Sequence, residues 1–226
     1  MRGHTFLYSP SVNKVSELLE KEVPRRDLLR DLLTLRPHLC SCAVGRSALI
    51  VVDVQQAFDD PAWGSRNNPD CERNIGALIG AWRERGFPVV FVRHDGLEEE
   101  SPYDTLGCEH PGNAFKEVLE GEPDLLVTKH VNSAFHGSPD LEAWLRANGV
   151  DAITVCGIQT QMCCETTARV GANLGFEMTF AIDATHTFDL PAYGGGTLRA
   201  DEVARVTASN LEPEFGRVAT TAELTG

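Results

Sequence analysis

The sequence predicts an α/β fold, a three-layer α/β/α sandwich built around a six-stranded parallel sheet. Short apolar runs alternate along the chain with longer stretches in which apolar residues recur at helical spacing. Such alternation is typical of a parallel sheet with helical crossovers. The first run, ALIVVDV at residues 48–54, is also β-branched and continuously apolar apart from Asp53, as expected for a strand that is buried on both faces.

Six apolar runs predict the strands of this sheet, and four amphipathic stretches predict its main helices. The strands are expected at residues 48–54, 88–92, 125–128, 152–156, 176–182 and 217–220. The helices are expected around residues 75–82, 141–145, 160–174 and 200–211. Gly86, Gly149 and Gly175 follow the first three helices, where glycine commonly ends a helix.

Residues 1–45 predict an N-terminal helical extension to a main domain of residues 46–226. Leucines recur there at helical spacing among charged residues, and Pro24 and Pro37 interrupt and end the pattern. Two short amphipathic helices are therefore expected. They either cover a face of the main domain or pack against another subunit, and the sequence leaves both possibilities open.

The composition argues against several classes of partner. Of the 226 residues, 42% are hydrophobic and 23% are charged, close to the globular average. The net charge of −13 repels phosphate backbones, so no nucleic-acid partner is expected. No apolar run approaches the ~20 residues of a membrane helix, and the N-terminus lacks the order of a secretory signal. We expect a cytoplasmic protein with no membrane partner.

The seven cysteines predict neither a disulfide framework nor a zinc site. Their number is odd and their spacing is irregular, unlike that of a disulfide-stabilised secreted domain. Cys40 and Cys42 are separated by a single residue, which is too close for a zinc knuckle. Most of the cysteines, including Cys164, are expected to be small buried hydrophobic residues.

Three predicted strands lead into residues that carry chemistry. Asp53 ends the first strand, Lys129 ends the third, and Cys163 lies in the first turn of the helix after the fourth. Ligands bind beyond the carboxyl ends of parallel strands. Asp53 or Lys129 alone would be an ordinary solvated strand end. Cys163 is the stronger candidate, because free N–H groups at a helix start lower a cysteine pKa and receive the oxyanion of a tetrahedral intermediate.

Three motifs resemble those of the isochorismatase-like cysteine hydrolases. They are VVDVQQAF around Asp53, VTKHVNSAF around Lys129 and CGIQTQMCCETTAR around Cys163, in the order found in that family. The resemblance implies a catalytic triad in which Asp53 is the base, Lys129 stabilises the thiolate and Cys163 is the nucleophile. It also implies an oxyanion hole formed by the backbone N–H groups of Gln159 and Cys163, and a cis peptide bond between Ile158 and Gln159. Assembly as a homo-oligomer, a dimer or tetramer, is expected as well.

Departures from individual branches of the family narrow the expected chemistry. Isochorismatases proper, which cleave a vinyl ether, often lack the cysteine that this chain keeps. Nicotinamidases bind a metal through an Asp-x-His motif, but here Asp95 is followed by Leu97 in place of the histidine. The resemblance is to the non-metal amidase branch, which includes streptothricin hydrolase and N-carbamoyl and ureido amide hydrolases, and it implies no metal and no cofactor.

Three alternatives to an amidase stay open. They are an isochorismatase-type vinyl-ether hydrolase, a nicotinamidase, and a non-enzymatic protein whose N-terminal helices bind another chain.

The pocket for a small-molecule amide is expected beside the predicted triad. Its tentative lining is His94, Asn132, Phe135 and Thr160, although Phe135 fits the core equally well. His186, which follows the fifth predicted strand, is expected at the same rim. Three glycines at 194–196 predict a flexible loop, without the spacing of a phosphate-binding loop.

Overall fold

The computed structural model describes residues 45–96 and 111–226, and these ranges contain eight strands and five α-helices. The strands are β1 Arg46–Val52, β2 Val89–His94, β3 Leu125–Lys129, β4 Val150–Ile158, β5 Glu177–His186, β6 Leu190–Pro191, β7 Thr197–Leu198 and β8 Arg217–Ala219. The helices are α1 Cys71–Glu84, α2 Leu141–Ala147, α3 Glu165–Asn173, α4 Ala200–Leu211 and α5 Thr221–Thr225. The helices predicted for the N-terminal extension lie outside the described residues.

Six of the strands form one parallel sheet. Its order is β3-β2-β1-β4-β5-β8, and every neighbouring pair is parallel. The predicted six-stranded parallel sheet is therefore confirmed. Two strands run well beyond their predicted carboxyl ends, since β4 continues to Ile158 and β5 continues to His186.

Burial on both faces of the sheet explains the continuous apolar runs. Residues 48–52 of β1 are all fully buried. Ile50 and Val52 belong to the core cluster that α2, α3 and α4 share, whereas Leu49 and Val51 belong to the cluster that α1 shares. Successive side chains of a strand point to opposite faces, so both faces carry helices. The predicted three-layer arrangement is confirmed.

Gly157 allows the ends of β1 and β4 to approach closely. It pairs with Val52 across the two strands and has a φ of +127°. A Cβ atom at this position would overlap the carbonyl oxygen of Val52. Because only glycine tolerates both the contact and the backbone angle, the residues that follow the two strands, Asp53 and Gln159, leave the sheet side by side.

Two local features differ from the sequence prediction. The strands β6 and β7 pair antiparallel in a small hairpin, and the glycines at 194–196 lie in its turn. The helix expected for residues 160–174 begins as a π-helical turn over Thr160–Cys164 and continues as α3. Among the described residues, none of the helices is both long and apolar enough to cross a membrane.

Candidate active site

Three neighbouring strands bring three polar side chains to one edge of the sheet. Lys129 ends β3, and it lies opposite His94 at the end of β2 in the strand register. Asp53 follows β1, the next strand in the sheet. The fold therefore gathers residues that are far apart in the sequence, since 76 positions separate Asp53 from Lys129.

Asp53 is a buried carboxylate with one occupied and one free oxygen. Its Oδ2 accepts a hydrogen bond from Lys129 Nζ at 2.6 Å, and neither side chain is exposed. Its Oδ1 has no hydrogen-bond partner among the described residues. The backbone has a φ of +51°, which residues other than glycine rarely adopt. The free oxygen is suited to accept a proton.

The ammonium group of Lys129 lies among three acceptors. Besides Asp53, its Nζ is 3.0 Å from Nδ1 of His94 and 3.4 Å from Sγ of Cys163. Burial by itself lowers the pKa of Lys129, but the negative charge of Asp53, followed by the interaction with the Cys163 sulfur, outweighs burial and raises that pKa above its ordinary value. Lys129 is therefore positively charged and lies next to the sulfur.

Cys163 is a buried thiol in the π-helical turn. Its Sγ lies 3.8 Å from Oδ1 of Asn132. Burial, followed by the negative charge of Asp53, raises the pKa of the thiol well above its ordinary value, and Lys129 offsets only part of this effect. The predicted lowering of the cysteine pKa by the helix start is therefore wrong, because the sulfur is removed from water and faces a carboxylate. The resting thiol is protonated and needs a base.

The turn that precedes Cys163 is held by backbone hydrogen bonds. The peptide bond between Ile158 and Gln159 is cis, as the resemblance implied. The carbonyl of Gln159 accepts hydrogen bonds from the N–H groups of Met162 at 3.2 Å and Cys164 at 3.3 Å. An oxyanion hole formed by the N–H groups of Gln159 and Cys163 stays a prediction. Cys164 is fully buried, as expected.

Cys163 lies in the wall of a cavity of about 480 Å³, a volume suited to a small molecule. One side of this cavity, the aromatic wall, consists of Phe58, Trp63 and Phe188. The rings of Trp63 and Phe188 stack with centroids 5.3 Å apart, and those of Phe58 and Trp63 are equally close. The remaining lining residues are Ala62, His94, Asn132, Gln159, Gln161, Met162, Asp189, Leu190 and Pro191.

Two of the four predicted pocket residues lie elsewhere. His94 and Asn132 line the cavity. The ring of Phe135 instead stacks on Phe176 in the core, with centroids 5.9 Å apart. Thr160 is fully buried, and its hydroxyl donates to the hydroxyl of Thr185 at 2.9 Å. Both assignments rested on nearness in sequence to Lys129 or Cys163, but consecutive residues of a turn point in different directions.

The aromatic wall was missed by the sequence reasoning. Phe58 and Trp63 lie in short turns after β1, and Phe188 follows β5. Aromatic residues just beyond strand ends are the sequence pattern that indicates such a wall. His186 also differs from the expectation, because it ends β5 as a fully buried residue with its ring edge-on to Phe188.

Asp95, which stands at the position of a nicotinamidase metal ligand, does not fit a metal ion here. Its carboxylate accepts hydrogen bonds from Nε of Arg93 at 2.8 Å, from Nη2 of Arg93 at 3.2 Å and from Nδ2 of Asn113 at 3.0 Å. A cation bound to Asp95 would face the guanidinium charge of Arg93. The side chain is therefore already committed to an ion pair.

A second group of potential metal-ligand atoms surrounds a lysine instead. Single atoms of Asp53, His94 and Cys163 lie within 4.8 Å of one another. All three contact Nζ of Lys129. The ammonium group thus occupies the position between them and supplies the positive charge there.

Comparison with known proteins places this chain in a family. The profile of the isochorismatase domain matches residues 47–223. The chain belongs to the isochorismatase family. An isochorismatase-family protein from Chromobacterium violaceum, with a crystal structure at 1.06 Å resolution, has a TM-score of 0.74 and 40% identity over 80% of this chain and 92% of its own. The uncharacterized isochorismatase family protein YrdC of Bacillus subtilis is 34% identical over 79% of this chain and 94% of its own.

Several relatives of this isochorismatase-family hydrolase have named activities. Nicotinamidase 3 of Arabidopsis thaliana is 34% identical over 63% of this chain and 74% of its own. Streptothricin hydrolase of Streptomyces noursei is 32% identical over 64% of this chain and 51% of its own. The ureidoacrylate amidohydrolase RutB of Azorhizobium caulinodans is 27% identical over 85% of this chain and 94% of its own. The resemblance to streptothricin and ureido hydrolases is confirmed.

Proposed function

We propose that this isochorismatase-family hydrolase cleaves a C–N amide bond of a small neutral molecule through a thioester at Cys163. The observation that carries the proposal is the position of Lys129 Nζ, 2.6 Å from Asp53 Oδ2 and 3.4 Å from Cys163 Sγ beside the cavity. A nucleophile next to a base and a fixed positive charge is the arrangement of an activated cysteine. The relatives named as a nicotinamidase and an amidohydrolase support amide chemistry.

The first half of the reaction forms the thioester. The protonated thiol of Cys163 gives its proton to Oδ1 of Asp53, the oxygen that has no partner among the described residues, while the sulfur attacks the amide carbon. The carbonyl electrons move to oxygen, and the N–H groups of Gln159 and Cys163 receive the resulting oxyanion. Asp53 then protonates the amide nitrogen as the C–N bond breaks, and the amine leaves.

The second half returns the enzyme to its starting state. Asp53 takes a proton from water as the water oxygen attacks the thioester carbon. The tetrahedral intermediate collapses, the S–C bond breaks and the carboxylic acid leaves. The sulfur regains the proton from Asp53. Lys129 keeps its charge throughout and stabilises the thiolate at each point where sulfur is anionic.

The cavity favours a neutral substrate with a flat, apolar acyl group. The aromatic wall offers apolar surface to such a group. Among the described residues, neither lysine nor arginine lines the cavity, and residues 97–110 contain none. Asp189 also lines the cavity, but its carboxylate already has partners. It forms an ion pair with Arg199 and accepts a hydrogen bond from the N–H of Ala200 at 2.8 Å. A substrate carboxylate would find no lysine or arginine in the part of the cavity wall that residues 45–96 and 111–226 form, and burying a carboxylate without a cationic partner is unfavourable.

A panel of small amides tests this function. Neutral aryl amides, neutral alkyl amides and carboxylate-bearing amides are each incubated with the wild type and with Cys163→Ala, and ammonia or amine release is measured. We expect turnover of neutral amides by the wild type and none by Cys163→Ala. Acid quenching followed by intact-mass analysis is expected to reveal the acyl group on Cys163.

The matched control is Cys164→Ala, which removes the adjacent buried thiol and is expected to retain turnover. Amide turnover that survives Cys163→Ala contradicts the thioester mechanism. Cleavage of a vinyl-ether substrate that survives Cys163→Ala but not Asp53→Asn indicates a vinyl-ether hydrolase instead. Neutral amides that stay intact with all variants, including the wild type, also contradict the proposal.

A further inference from the structure

The ammonium group of Lys129 has three N–H donors, and the structure offers it three acceptors. These acceptors are Oδ2 of Asp53 at 2.6 Å, Nδ1 of His94 at 3.0 Å and Sγ of Cys163 at 3.4 Å. The lysine side chain has no exposed surface, so water does not replace a lost partner. Each acceptor therefore limits the rotation of the ammonium group and holds the other two N–H bonds in place.

The contact with Lys129 defines the protonation state of His94. An ammonium group donates and cannot accept, so Nδ1 of His94 must present its lone pair and the ring proton must lie on Nε2. Burial, followed by the positive charge of Lys129, also lowers the pKa of His94. The contact with Lys129 and the lowered pKa are both consistent with a neutral imidazole that accepts a hydrogen bond at Nδ1.

The backbone of His94 is fixed by buried amide side chains. Its N–H donates to Oε1 of Gln55 at 2.9 Å, and its carbonyl accepts from Nε2 of Gln55 at 3.1 Å and from Nδ2 of Asn113 at 3.1 Å. Gln55 is itself fully buried. Because both sides of the peptide are bound, the imidazole has a defined position at the end of β2.

We propose that His94 is a positioning residue that holds the ammonium group of Lys129 between Asp53 and Cys163 by accepting its third N–H bond at Nδ1. The inference rests on the proposed function, in which the lysine charge stabilises the thiolate of Cys163. Without the third acceptor, the ammonium group rotates or loses its proton, and the stabilisation of the thiolate weakens. The loss acts on the chemical step more than on substrate binding.

Three substitutions at His94 test which of its two ring nitrogens is functional. His94→Asn keeps an acceptor near the position of Nδ1, His94→Gln places its amide near the position of Nε2, and His94→Phe keeps the ring shape without an acceptor. His136→Gln, at an exposed histidine, is the matched control. The full-length variants are compared by circular dichroism and thermal unfolding before their chemistry is measured.

The main measurement is the rate of Cys163 alkylation by iodoacetamide between pH 6 and 10, which needs no substrate. We expect His94→Phe and His94→Gln to react about tenfold more slowly than the wild type near pH 7.5, with profiles shifted to higher pH, since a tenfold change matches the loss of one hydrogen bond to a charged group. We expect His94→Asn to recover most of the rate. The groups that face His94 and can influence this profile are Lys129, Asp53, Asp95 and His130.

The outcomes distinguish the positioning role from the proposed function. If iodoacetamide labels wild-type Cys163 and all three variants share its profile, the positioning role is wrong and the amidase proposal is unaffected. If His94→Gln recovers the rate and His94→Asn does not, Nε2 is the functional atom and the positioning role is also wrong. If wild-type Cys163 is not labelled anywhere in this range, the stabilisation of its thiolate by Lys129 is wrong and the positioning role fails with it, whereas turnover of the amide panel by the wild type still decides the proposed function. With an amide from the panel, a fall in kcat at similar KM supports the positioning role.

Discussion

Asp53 and Lys129 form an ion pair in which neither side chain has any exposed surface, and Oδ2 of Asp53 lies 2.6 Å from Nζ of Lys129. Removing a charge from water costs several kcal/mol unless a partner compensates it. Each of these two residues is therefore the main reason that the other can be charged inside the protein. The pair contributes to stability only as a pair.

Replacing Lys129 alone is expected to destabilise the fold strongly. We expect Lys129→Met to lower the free energy of unfolding by about 3–5 kcal/mol, because the Asp53 carboxylate then lies buried without a countercharge. The double variant Asp53→Asn/Lys129→Met is expected to recover most of this loss while remaining inactive. Urea unfolding measures the free energy of unfolding of the single variants and of the double variant. A double variant that is as unstable as the sum of its single variants contradicts this account.

Gly157 offers a separate test of how the site is built. We expect Gly157→Ala to lower the free energy of unfolding by about 3 kcal/mol or more, because its Cβ meets the carbonyl of Val52 and its φ is strained. The control is Gly80→Ala in α1, where nothing lies within 4 Å of the added Cβ. That change is expected to stabilise the helix by about 0.5–1 kcal/mol. Similar unfolding energies for the two variants would argue against the close contact.

The strands were predictable from the sequence because burial on both faces leaves a direct pattern. A continuous apolar run such as residues 48–52, bounded by helical stretches, is typical of a strand inside a parallel sheet. The hairpin of β6 and β7 was not predictable in the same way. Each of its strands has two residues, which is too short for any periodicity to appear.

The three residues proposed for the triad were found from their motifs, but the contact between Lys129 and His94 was not. His94 contacts Lys129 only because β2 and β3 pair in a register that places the two residues opposite each other. Local sequence patterns do not encode that register. The raised pKa of the Cys163 thiol was missed for a related reason, because its burial arises from packing and not from its position at a helix start.

His186 is expected to make the protein sensitive to acid. Its ring is fully buried, and both nitrogens lack a hydrogen-bond partner among the described residues. Burial, followed by the positive charge of Arg66, lowers its pKa to about 3. In the unfolded chain its pKa is ~6.5, so below that pH the unfolded state binds a proton that the folded state does not. This contribution to stability is complete above ~pH 6.5 and is lost as the pH falls towards 3.

The expected loss from His186 is about 2 kcal/mol at pH 5 relative to pH 8, from the difference between the two pKa values. Glu72, whose Oε1 lies 3.8 Å from Nε2 of His186, is bound by Arg66 and Lys116, and these bonds outweigh burial and lower its pKa. The contribution of Glu72 disappears only below ~pH 4.5, so the range from pH 5 to 7 reports on His186 and on the half-buried His94, whose pKa is also lowered.

His186→Leu tests this assignment, because leucine removes the titrating ring without removing a hydrogen bond. We expect urea unfolding of this variant to depend less on pH between 5 and 7 than that of the wild type. The exposed residue His136 provides the control, and His136→Gln is expected to retain the pH dependence of the wild type. An unchanged pH dependence in His186→Leu would mean that other groups cause the acid sensitivity.

Met162 is a position at which the proposed preference of the cavity for neutral substrates can be tested. Its side chain lines the cavity and is 48% exposed, so a longer charged side chain fits without burial. We expect Met162→Lys to raise kcat/KM for a carboxylate-bearing amide, relative to a neutral amide of the same shape, by about tenfold, which corresponds to ~1.4 kcal/mol of added attraction. Met162→Gln, of similar length and no charge, is the control and should leave the ratio near that of the wild type. If the ratio rises equally in Met162→Lys and Met162→Gln, access to the cavity, and not the charge at position 162, determines the preference between the two amides. If the ratio rises in neither variant, the proposed preference for neutral substrates does not depend on the lack of a cation in the described part of the cavity wall.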